Sequence, residues 1–364
     1  MVGWFIIRID HQAGYFVTKE KDLQVKKEIT IYDLAKELNY SPSTISRALN
    51  NHKSISPKTI KKVKEQAEKM GYRPNTLAAG LRNNKSNTIG ISISRINRHF
   101  ISSMISGIEE TARKAGFNVI ISQSDDKYEN EVSNLKALYD SRISGLIVSL
   151  SMETVNMDHF KPFINQGIPL VFVDRVPQGF NTYKVVIDNY SAGYNATKHL
   201  IDKGCKRIAH FAGAQHRNVY EERKKGYLDA LKEHQIPVDE QLIIHFKTLS
   251  FEEGEKATNK LLKLPNPPDG IFSANDTAGV SAILCAKKKG IKIPEELAII
   301  GFNDDPISSI VEPALSTMSH PAMKMGKIAA KRILNHSSKN HDEEVSEITV
   351  LSTEIIQRAS TDRK

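Results

Sequence analysis

Apolar segments of four to seven residues alternate with amphipathic segments at helical spacing from Thr88 onward. This alternation predicts parallel sheets that are covered by helices on both faces. Because roughly 270 residues are many for one such sheet, we expect two lobes. The strand candidates are residues 88–94, 118–122, 145–149, 170–173, 207–212, 270–273 and 297–301. The helix candidates include residues 101–115, 192–203, 222–234, 277–289 and 323–334.

Polar side chains follow several predicted strands at their carboxyl ends, where parallel sheets bind ligands. Three residue types are suitable partners for sugar hydroxyls. Aspartate supplies hydrogen-bond acceptors, asparagine supplies both a donor and an acceptor, and arginine supplies a rigid fork of donors. Phe100 would cover an apolar sugar face, and Arg223 is expected at the start of a helix. We therefore expect a small-molecule site in the cleft between the lobes, with ordinary turn residues as the alternative explanation. The candidates are Ser94, Arg98, Phe100, Asp174, Arg223, Asn275, Asn303 and Asp304.

The positive charge of the chain is concentrated near its N-terminus. Residues 25–90 hold ten Lys and three Arg against five Asp and Glu, a net charge of +8 in a chain whose total is +9. A basic segment on a nearly neutral body is typical of a module that binds nucleic-acid phosphates. A solubilising charged face would give the same count, so the charge alone leaves both explanations open.

Three short helices are predicted within this basic segment. Thr30 and Asp33 form a capping box for the first helix, and Ser41 with Pro42 opens the second. Ser56 begins the third. A tight turn separates the first two helices, and this arrangement predicts a helix-turn-helix. A small helical bundle without a ligand is the alternative.

The second predicted helix carries the features of a helix that reads DNA bases. Pro42, Ser43 and Arg47 lie away from its apolar stripe. In a helix-turn-helix, the N-terminal part of this helix meets base edges in the major groove, and an arginine binds guanine O6 and N7 together. Further along, Leu81 beside Arg82 is suited to be a wedge in a minor-groove step, because the apolar group unstacks bases while the charge binds phosphate.

Several classes of protein lack support in the sequence. No apolar run approaches the roughly 18 residues of a membrane span, and the N-terminus lacks the pattern of a signal peptide. The two cysteines, Cys205 and Cys285, suggest reduced thiols in the cytoplasm. A nucleophile elbow, a P-loop and an HExxH pair are all missing, so we expect no catalytic residue, cofactor or metal site. A sugar-binding or transport module without a role on DNA remains the alternative function.

Residues 30–35, 41–50, 72–75 and 77–81 closely resemble the headpiece and hinge of the lactose repressor/galactose repressor family of bacterial transcription regulators. The similarity continues to about Ser360. It implies an all-α helix-turn-helix headpiece and a two-lobed α/β effector domain of the periplasmic-binding-protein type with parallel sheets. The implied boundaries are 25–73 for the headpiece, 74–87 for the hinge and linker, and 88–361 for the effector and dimerisation domain. Residues 1–24 have no family counterpart, and we expect translation to start at Val25.

The resemblance also implies a homodimer that binds a near-palindromic operator in double-stranded DNA and represses genes of carbohydrate metabolism. Pro42, Ser43 and Arg47 would face bases. The residues implied at or near phosphates are Thr30, Tyr32, Ser41, Thr44, Asn50 and Tyr72. Thr30 and Ser41 must also cap helices. Asn75 and Ala78 would make hinge contacts, and Leu81 would be the wedge with Arg82 beside it.

For the cleft, the resemblance implies a small effector, a sugar or sugar phosphate, with a purine as the alternative. Asp174, Arg223 and Asn275 match the family's main ligand positions. Ser94, Arg98 and Phe100 match first-loop positions that vary with the ligand. Asn303 departs from the family, which often has aspartate there, followed by the aspartate matched by Asp304. No leucine heptad follows the closing strand, so a tetramerising tail is not expected.

Overall fold

The computed structural model describes residues 29–72, 86–336 and 347–363. The chain divides between residues 82 and 83 into two compact units, each of which is considered by itself. The predicted extension 1–24 and the predicted hinge contacts Asn75, Ala78, Leu81 and Arg82 lie outside the described residues.

The first unit contains three helices, α1 (Ile31–Leu38), α2 (Pro42–Leu49) and α3 (Pro57–Met70). Both halves of the predicted capping box are present: the Thr30 amide donates to Asp33 Oδ2 at 2.8 Å, and the Asp33 amide donates to Thr30 Oγ1 at 3.4 Å. Ser41 accepts a hydrogen bond from the Thr44 amide at the start of α2. The predicted starts of all three helices are therefore confirmed.

One small apolar core holds these three helices together. Leu34 of α1, Ile45 and Ala48 of α2 and Val63 of α3 are completely buried. Asn39 adopts φ +56° in the turn between α1 and α2, a backbone conformation that asparagine tolerates better than most residues. The tight turn and the shared core fix α2 against α1, as in a helix-turn-helix.

The second unit is built on two six-stranded sheets. The order in the first sheet is β2 (Asn118–Gln123), β1 (Thr88–Ile93), β3 (Gly145–Val148), β4 (Leu170–Val173), β5 (Tyr183–Ile187) and β11 (Glu347–Leu351), all in parallel pairs. The order in the second is β7 (Ile243–His245), β6 (Ile208–Ala212), β8 (Gly270–Ser273), β9 (Ala298–Asn303), β10 (Ser316–Ser319) and β12 (Ile355–Ile356). Only the β10–β12 pair is antiparallel among these described strand pairs.

Helices cover both sheets and complete two lobes. The first lobe holds α4 (His99–Lys114), α5 (Tyr128–Asp140), α6 (Lys161–Asn165) and α12 (Ala322–His336). The second holds α7 (Asn189–Asp202), α8 (Asn218–Glu233), α9 (Phe251–Leu261), α10 (Asp276–Lys288) and α11 (Ile307–Ile310). The chain passes between the lobes after β5, after β10 and after β11. The prediction of a two-lobed α/β unit with parallel sheets is confirmed.

The central strands are buried on both faces, which explains their nearly continuous apolar sequences. Ile89, Ile91 and Ile93 of β1 are completely buried, as are Val171 and Val173 of β4. Parallel sheets with helices on both faces require this pattern. The same arrangement brings the carboxyl ends of the central strands of both lobes to one cleft, where the polar candidates lie.

Candidate nucleic-acid interface and ligand cleft

The outward face of α2 carries two exposed polar side chains. Ile45 and Ala48 bury the opposite face, and this leaves Ser43 and Arg47 exposed. The Arg47 side chain makes no hydrogen bond or ion pair with any residue that the structure describes. Its guanidinium group is therefore not committed to holding the helix in place. Pro42, the third predicted base contact, is half-buried at the first position of the helix.

The residues predicted at phosphates divide into two groups. Tyr32 is 71% exposed at the start of α1, a position suited to a phosphate contact. The others also have structural roles: Thr30 and Ser41 cap helices, and the Asn50 side chain donates to the Ser46 carbonyl at 2.9 Å. Thr44 lies 2.8 Å from Ser41 by their hydroxyl oxygens, and Tyr72 packs against the core. The side chains in this second group are already engaged within the headpiece.

The cleft of the second unit is lined by side chains from both lobes. It brings together seven of the eight predicted ligand residues: Ser94, Arg98, Phe100, Asp174, Arg223, Asn275 and Asn303. Asp304 is the exception. Polar residues outside the predicted ligand set also line the cleft: Arg95, Asp126, Arg175, Tyr220, Lys247, Thr248, Asp305 and His320.

Asp174 lies directly after β4 in a left-handed backbone conformation, with φ +59°. Its carboxylate accepts a hydrogen bond from Ser149 Oγ at 3.4 Å, and its carbonyl accepts one from Asn218 Nδ2 at 3.2 Å. Burial raises the pKa of Asp174, while the charges of Arg175 and Arg223 act in the opposite direction. The carboxylate oxygens are therefore weakly satisfied acceptors at the cleft wall.

Arg223 lies in the second turn of α8, whereas the sequence placed it at a helix start. Helix α8 begins four residues before the predicted start, because the polar residues from Asn218 form its first turn. Arg223 is 3% exposed, and its guanidinium group donates to Asn189 Oδ1 and the Ala274 carbonyl at 2.9 Å each and stacks on the Phe302 ring at 3.5 Å. Burial lowers its pKa to about 10. The hydrogen bonds that fix this guanidinium group are therefore made to neutral oxygen atoms.

Asn275 caps α10, and both ends of its amide are engaged. Its Oδ1 accepts from the Ala278 amide at 2.9 Å, and its Nδ2 donates to the Leu249 carbonyl at 3.0 Å. The side chain therefore positions the cleft wall in this structure. A ligand that bonds to Asn275 must share these contacts or replace one of them.

His320 joins two of the predicted residues. Its Nδ1 lies 3.1 Å from Asn303 Oδ1, and its ring stacks on Phe100 with centroids 4.0 Å apart. Burial and the charge of Arg223 lower the pKa of His320 well below its usual value, so the ring is neutral. Because Nδ1–H donates to Asn303, Nε2 is left as an acceptor. This atom is buried without a partner among the described residues.

Asp304, which was predicted to bind the ligand, does not line this cleft and lies in a neighbouring depression with His99, Ser319 and Lys324. The Asp304 carboxylate forms an ion pair with Arg358, with Oδ1 2.6 Å from Nη2. Positive φ angles at Asn303 and Asp304, +109° and +55°, turn the chain after β9. Asp305 therefore reaches the cleft in place of Asp304. Its Oδ1 is buried without a partner among the described residues, and burial raises its pKa.

Asp126 and Arg175 form the ion pair that the sequence analysis missed. Arg175 Nη1 lies 2.5 Å from Asp126 Oδ1, and Arg95 Nε lies 3.4 Å from the second carboxylate oxygen. Asp126 follows β2, so the same strand-end rule that identified Asp174 applies to it. His320 follows β10 in the same way, and that signal was available in the sequence.

The described residues contain no group of three or more His, Cys, Asp or Glu side chains arranged to hold a metal ion. Among the described helices, none is long and apolar enough to cross a membrane.

A helix-turn-helix and a two-lobed α/β unit with a polar cleft, combined in one chain, define a DNA-binding regulator that responds to a small ligand. Comparisons with known proteins agree. Residues 30–75 match the family described as bacterial regulatory proteins, lacI family, and residues 197–361 match the periplasmic binding protein-like domain. The chain belongs to the lacI family of bacterial regulatory proteins, and it is a helix-turn-helix transcriptional regulator.

Curated relatives are similar over nearly their whole length. The HTH-type transcriptional regulator DegA of Bacillus subtilis (strain 168) is 32% identical over 333 residues, which cover 91% of this chain and 98% of DegA. Catabolite control protein A of Priestia megaterium is 31% identical over 312 residues, which cover 85% of this chain and 93% of that protein.

Solved structures share the fold. The transcriptional regulator CelR in its cellobiose complex has 26% identity and a TM-score of 0.67, covering 92% of this chain and 100% of CelR. The lac repressor dimer bound to operator and the anti-inducer ONPF has 23% identity and a TM-score of 0.81, covering 92% of this chain and 99% of that one. At this lower identity, the second similarity shows the fold alone.

Proposed function

We propose that this chain binds a near-palindromic operator as a homodimer and represses genes of carbohydrate metabolism. A sugar or sugar phosphate, bound between the lobes of the second unit, controls its affinity for DNA. The observation that carries the proposal is the outward face of α2, where Ser43 and Arg47 are exposed on a basic unit and the Arg47 side chain has no hydrogen-bond or ion-pair partner among the described residues. We expect the protein to act in the cytoplasm without catalysing a reaction.

On DNA, Arg47 binds a guanine through O6 and N7, and Ser43 and Pro42 meet neighbouring bases. Thr30, Tyr32, Ser41, Thr44, Asn50 and Tyr72 lie at or near phosphates. Asn75 and Ala78 belong to the hinge, with Leu81 as a minor-groove wedge beside Arg82. The lac repressor, which shares this fold, has been solved as a dimer bound to its operator.

The cleft lining contains both the acceptors and the donors that a polyhydroxylated ligand requires. Asp174, Asp305 and His320 Nε2 accept hydrogen bonds from ligand hydroxyls, while Arg98 and Arg223 donate to ring or hydroxyl oxygens. The cellobiose complex of CelR supports a carbohydrate. A ligand that bridges both lobes stabilises one arrangement of the lobes, and its effect on DNA affinity equals its preference for that arrangement.

Selection from random duplex DNA with the purified full-length protein tests the proposal. We expect a palindromic consensus whose enrichment changes when one sugar from a pooled set is added. Arg47→Ala should lose the consensus, whereas Arg113→Ala, which removes an equally exposed charge from α4, should retain it. If the wild type enriches no sequence and Arg47→Ala behaves identically, the DNA function is contradicted. A transport or sugar-binding module without a DNA role would then be the better explanation.

A further inference from the structure

The charges of the cleft wall do not balance. Five cationic side chains line it, Arg95, Arg98, Arg175, Arg223 and Lys247, against the three carboxylates of Asp126, Asp174 and Asp305. The excess is two positive charges among the described lining residues, since the buried ring of His320 is neutral. Concentrated charge of one sign in a cleft favours a ligand of the opposite sign.

The carboxylates compensate only part of this charge by direct contact. Asp126 serves two arginines at once, with Arg175 at 2.5 Å and Arg95 at 3.4 Å. The buried guanidinium of Arg223 donates to the neutral oxygens of Asn189 and Ala274. Since a buried charge is stable only when it is paired or well hydrogen-bonded, the wall of the cleft is better suited to a ligand that brings negative charge.

Arg98 and Lys247 are the two cations without a side-chain hydrogen bond or ion pair to any described residue. Arg98 precedes α4 in the first lobe, and Lys247 follows β7 in the second. Glu253, in the first turn of α9, is already engaged: it accepts from the amides of Lys247 and Thr248 and from the Thr248 hydroxyl. Two cations from opposite lobes therefore line one cleft without a direct side-chain partner among the described residues. The charge of Arg98 acts on Asp305, where it opposes the rise in pKa that burial causes.

We infer that the effector is an acidic sugar, a polyol that carries one carboxylate or phosphate group. This inference rests on the proposed function and deepens it. The hydroxyls of the ligand donate to the orphaned acceptors, Asp305 Oδ1 and His320 Nε2, and to Asp174. Its acid group lies between Arg98 and Lys247. A neutral sugar satisfies the same acceptors but forms no charge-assisted hydrogen bond with Arg98 or Lys247, so it binds the cleft less tightly.

Calorimetric titration of the full-length protein tests this with matched pairs of ligands. The acids are galacturonate, glucuronate and glucose 6-phosphate, and the neutral partners are galactose and glucose. We expect at least one acid to bind about tenfold or more tightly than its neutral parent, because charge-assisted hydrogen bonds replace neutral contacts. The uronates and the phosphate ester distinguish a carboxylate from a phosphate as the recognised group.

A pair of variants then locates the acid group. Lys247→Gln should weaken binding of the preferred acid about tenfold and leave binding of the neutral parent nearly unchanged. Lys256→Gln removes an exposed lysine from α9 outside the cleft lining and should change neither. Equal affinity of acid and parent, an unchanged preference in Lys247→Gln, or no binding by any of the five ligands would overturn the inference.

The result that would contradict the proposed function differs from the result that would contradict the acidic-sugar inference. A neutral sugar that alters operator binding by the wild type would overturn the acidic-sugar assignment and leave the proposed regulator intact. If the wild type selects no operator sequence, the regulator proposal is contradicted, whichever sugar the cleft binds.

Discussion

Asp304 and Arg358 form an ion pair that joins the turn after β9 to the segment after β12, with 2.6 Å between Oδ1 and Nη2. Arg358 also donates from Nη1 to Ser308 Oγ and to the Leu315 carbonyl, each at 2.9 Å. One guanidinium therefore ties the C-terminal segment to three sites in the second lobe. Asp304 has a structural role in this network and does not line the cleft.

The first prediction is that Arg358→Ala destabilises the second unit without changing effector affinity. The substitution removes a network of hydrogen bonds around a partly buried guanidinium, so we expect a loss of about 1–3 kcal/mol in the free energy of unfolding. Urea denaturation followed by circular dichroism measures the loss, and calorimetry measures effector binding. Arg113→Ala on α4 is the control, since its ion pair with Glu109 is exposed and should contribute little.

The variant Asp304→Asn distinguishes a structural role of Asp304 from a role in ligand binding. It weakens the ion pair but keeps a polar side chain of the same size. A large loss of effector affinity in this variant, without a loss of stability, would restore the family-based assignment of Asp304 to the ligand.

The sequence predicted the elements of the fold better than the details of the cleft. The headpiece helices follow from local signals, because caps such as Thr30 and Ser41 and the apolar spacing act within a few residues. The central strands follow from continuous apolar runs. The choice of Asp305 over Asp304 depends on positive φ angles at the end of β9, which neither apolar periodicity nor residue type reveals.

The sequence also did not predict which residues form pairs when they are far apart in the chain. Asp126 and Arg175 are 49 positions apart, and their contact depends on the spatial order β2–β1–β3–β4, which strand prediction does not supply. The uncommitted state of Arg98 and Lys247 likewise depends on which acidic side chains are occupied elsewhere. A sequence names candidate charges, but only the folded chain shows which of them are already satisfied.

The second prediction concerns the core of the headpiece. Leu34→Ala creates a cavity at a completely buried position and should cost about 2–5 kcal/mol. A core of this size rarely contributes more than about 3–5 kcal/mol of net stability. We therefore expect loss of operator binding while effector binding by the second unit is retained.

Glu37→Ala is the matched control for this prediction, because it lies on α1 and is exposed. Electrophoretic mobility shifts measure operator binding, and calorimetry measures the effector. Wild-type operator affinity in Leu34→Ala would mean that the three-helix core does not limit the stability of the reading helix.

The third prediction is a dependence of stability on pH that arises from His210. This ring is packed between Tyr227 and Phe272, with centroids 5.0 and 4.6 Å away, and burial lowers its pKa to about 3. The unfolded chain takes up a proton near pH 6.5, whereas the folded chain does not. Stability contributed by the neutral ring is therefore present above pH 6.5 and decreases as the pH falls toward 3, by about 1.4 kcal/mol per pH unit.

Urea denaturation at several pH values between 7 and 5 measures this slope. His320 adds a slope of the same sign, since its pKa is also lowered by burial. His210→Gln should therefore remove the contribution of His210 to the slope and leave the contribution of His320 unchanged. An unchanged slope in His210→Gln would show that the ring takes up its proton in the folded protein.

The last prediction tests the acceptor role of Asp174. Asn is the conservative replacement, because it has the same shape and tolerates the left-handed backbone that Asp174 adopts, with φ +59°. Asp174→Asn replaces a carboxylate acceptor by an amide, so we expect effector affinity to fall by about tenfold to a hundredfold. Operator affinity without effector should stay at the wild-type value, because this change leaves the headpiece untouched.

Ser149→Ala serves as the control, since Ser149 donates to the same carboxylate at 3.4 Å and does not line the cleft. Loss of this long hydrogen bond should change effector affinity much less than the loss of the carboxylate charge. If both variants weaken the effector equally, Asp174 positions the cleft wall through Ser149. If only Asp174→Asn does so, the carboxylate accepts hydrogen bonds from the ligand.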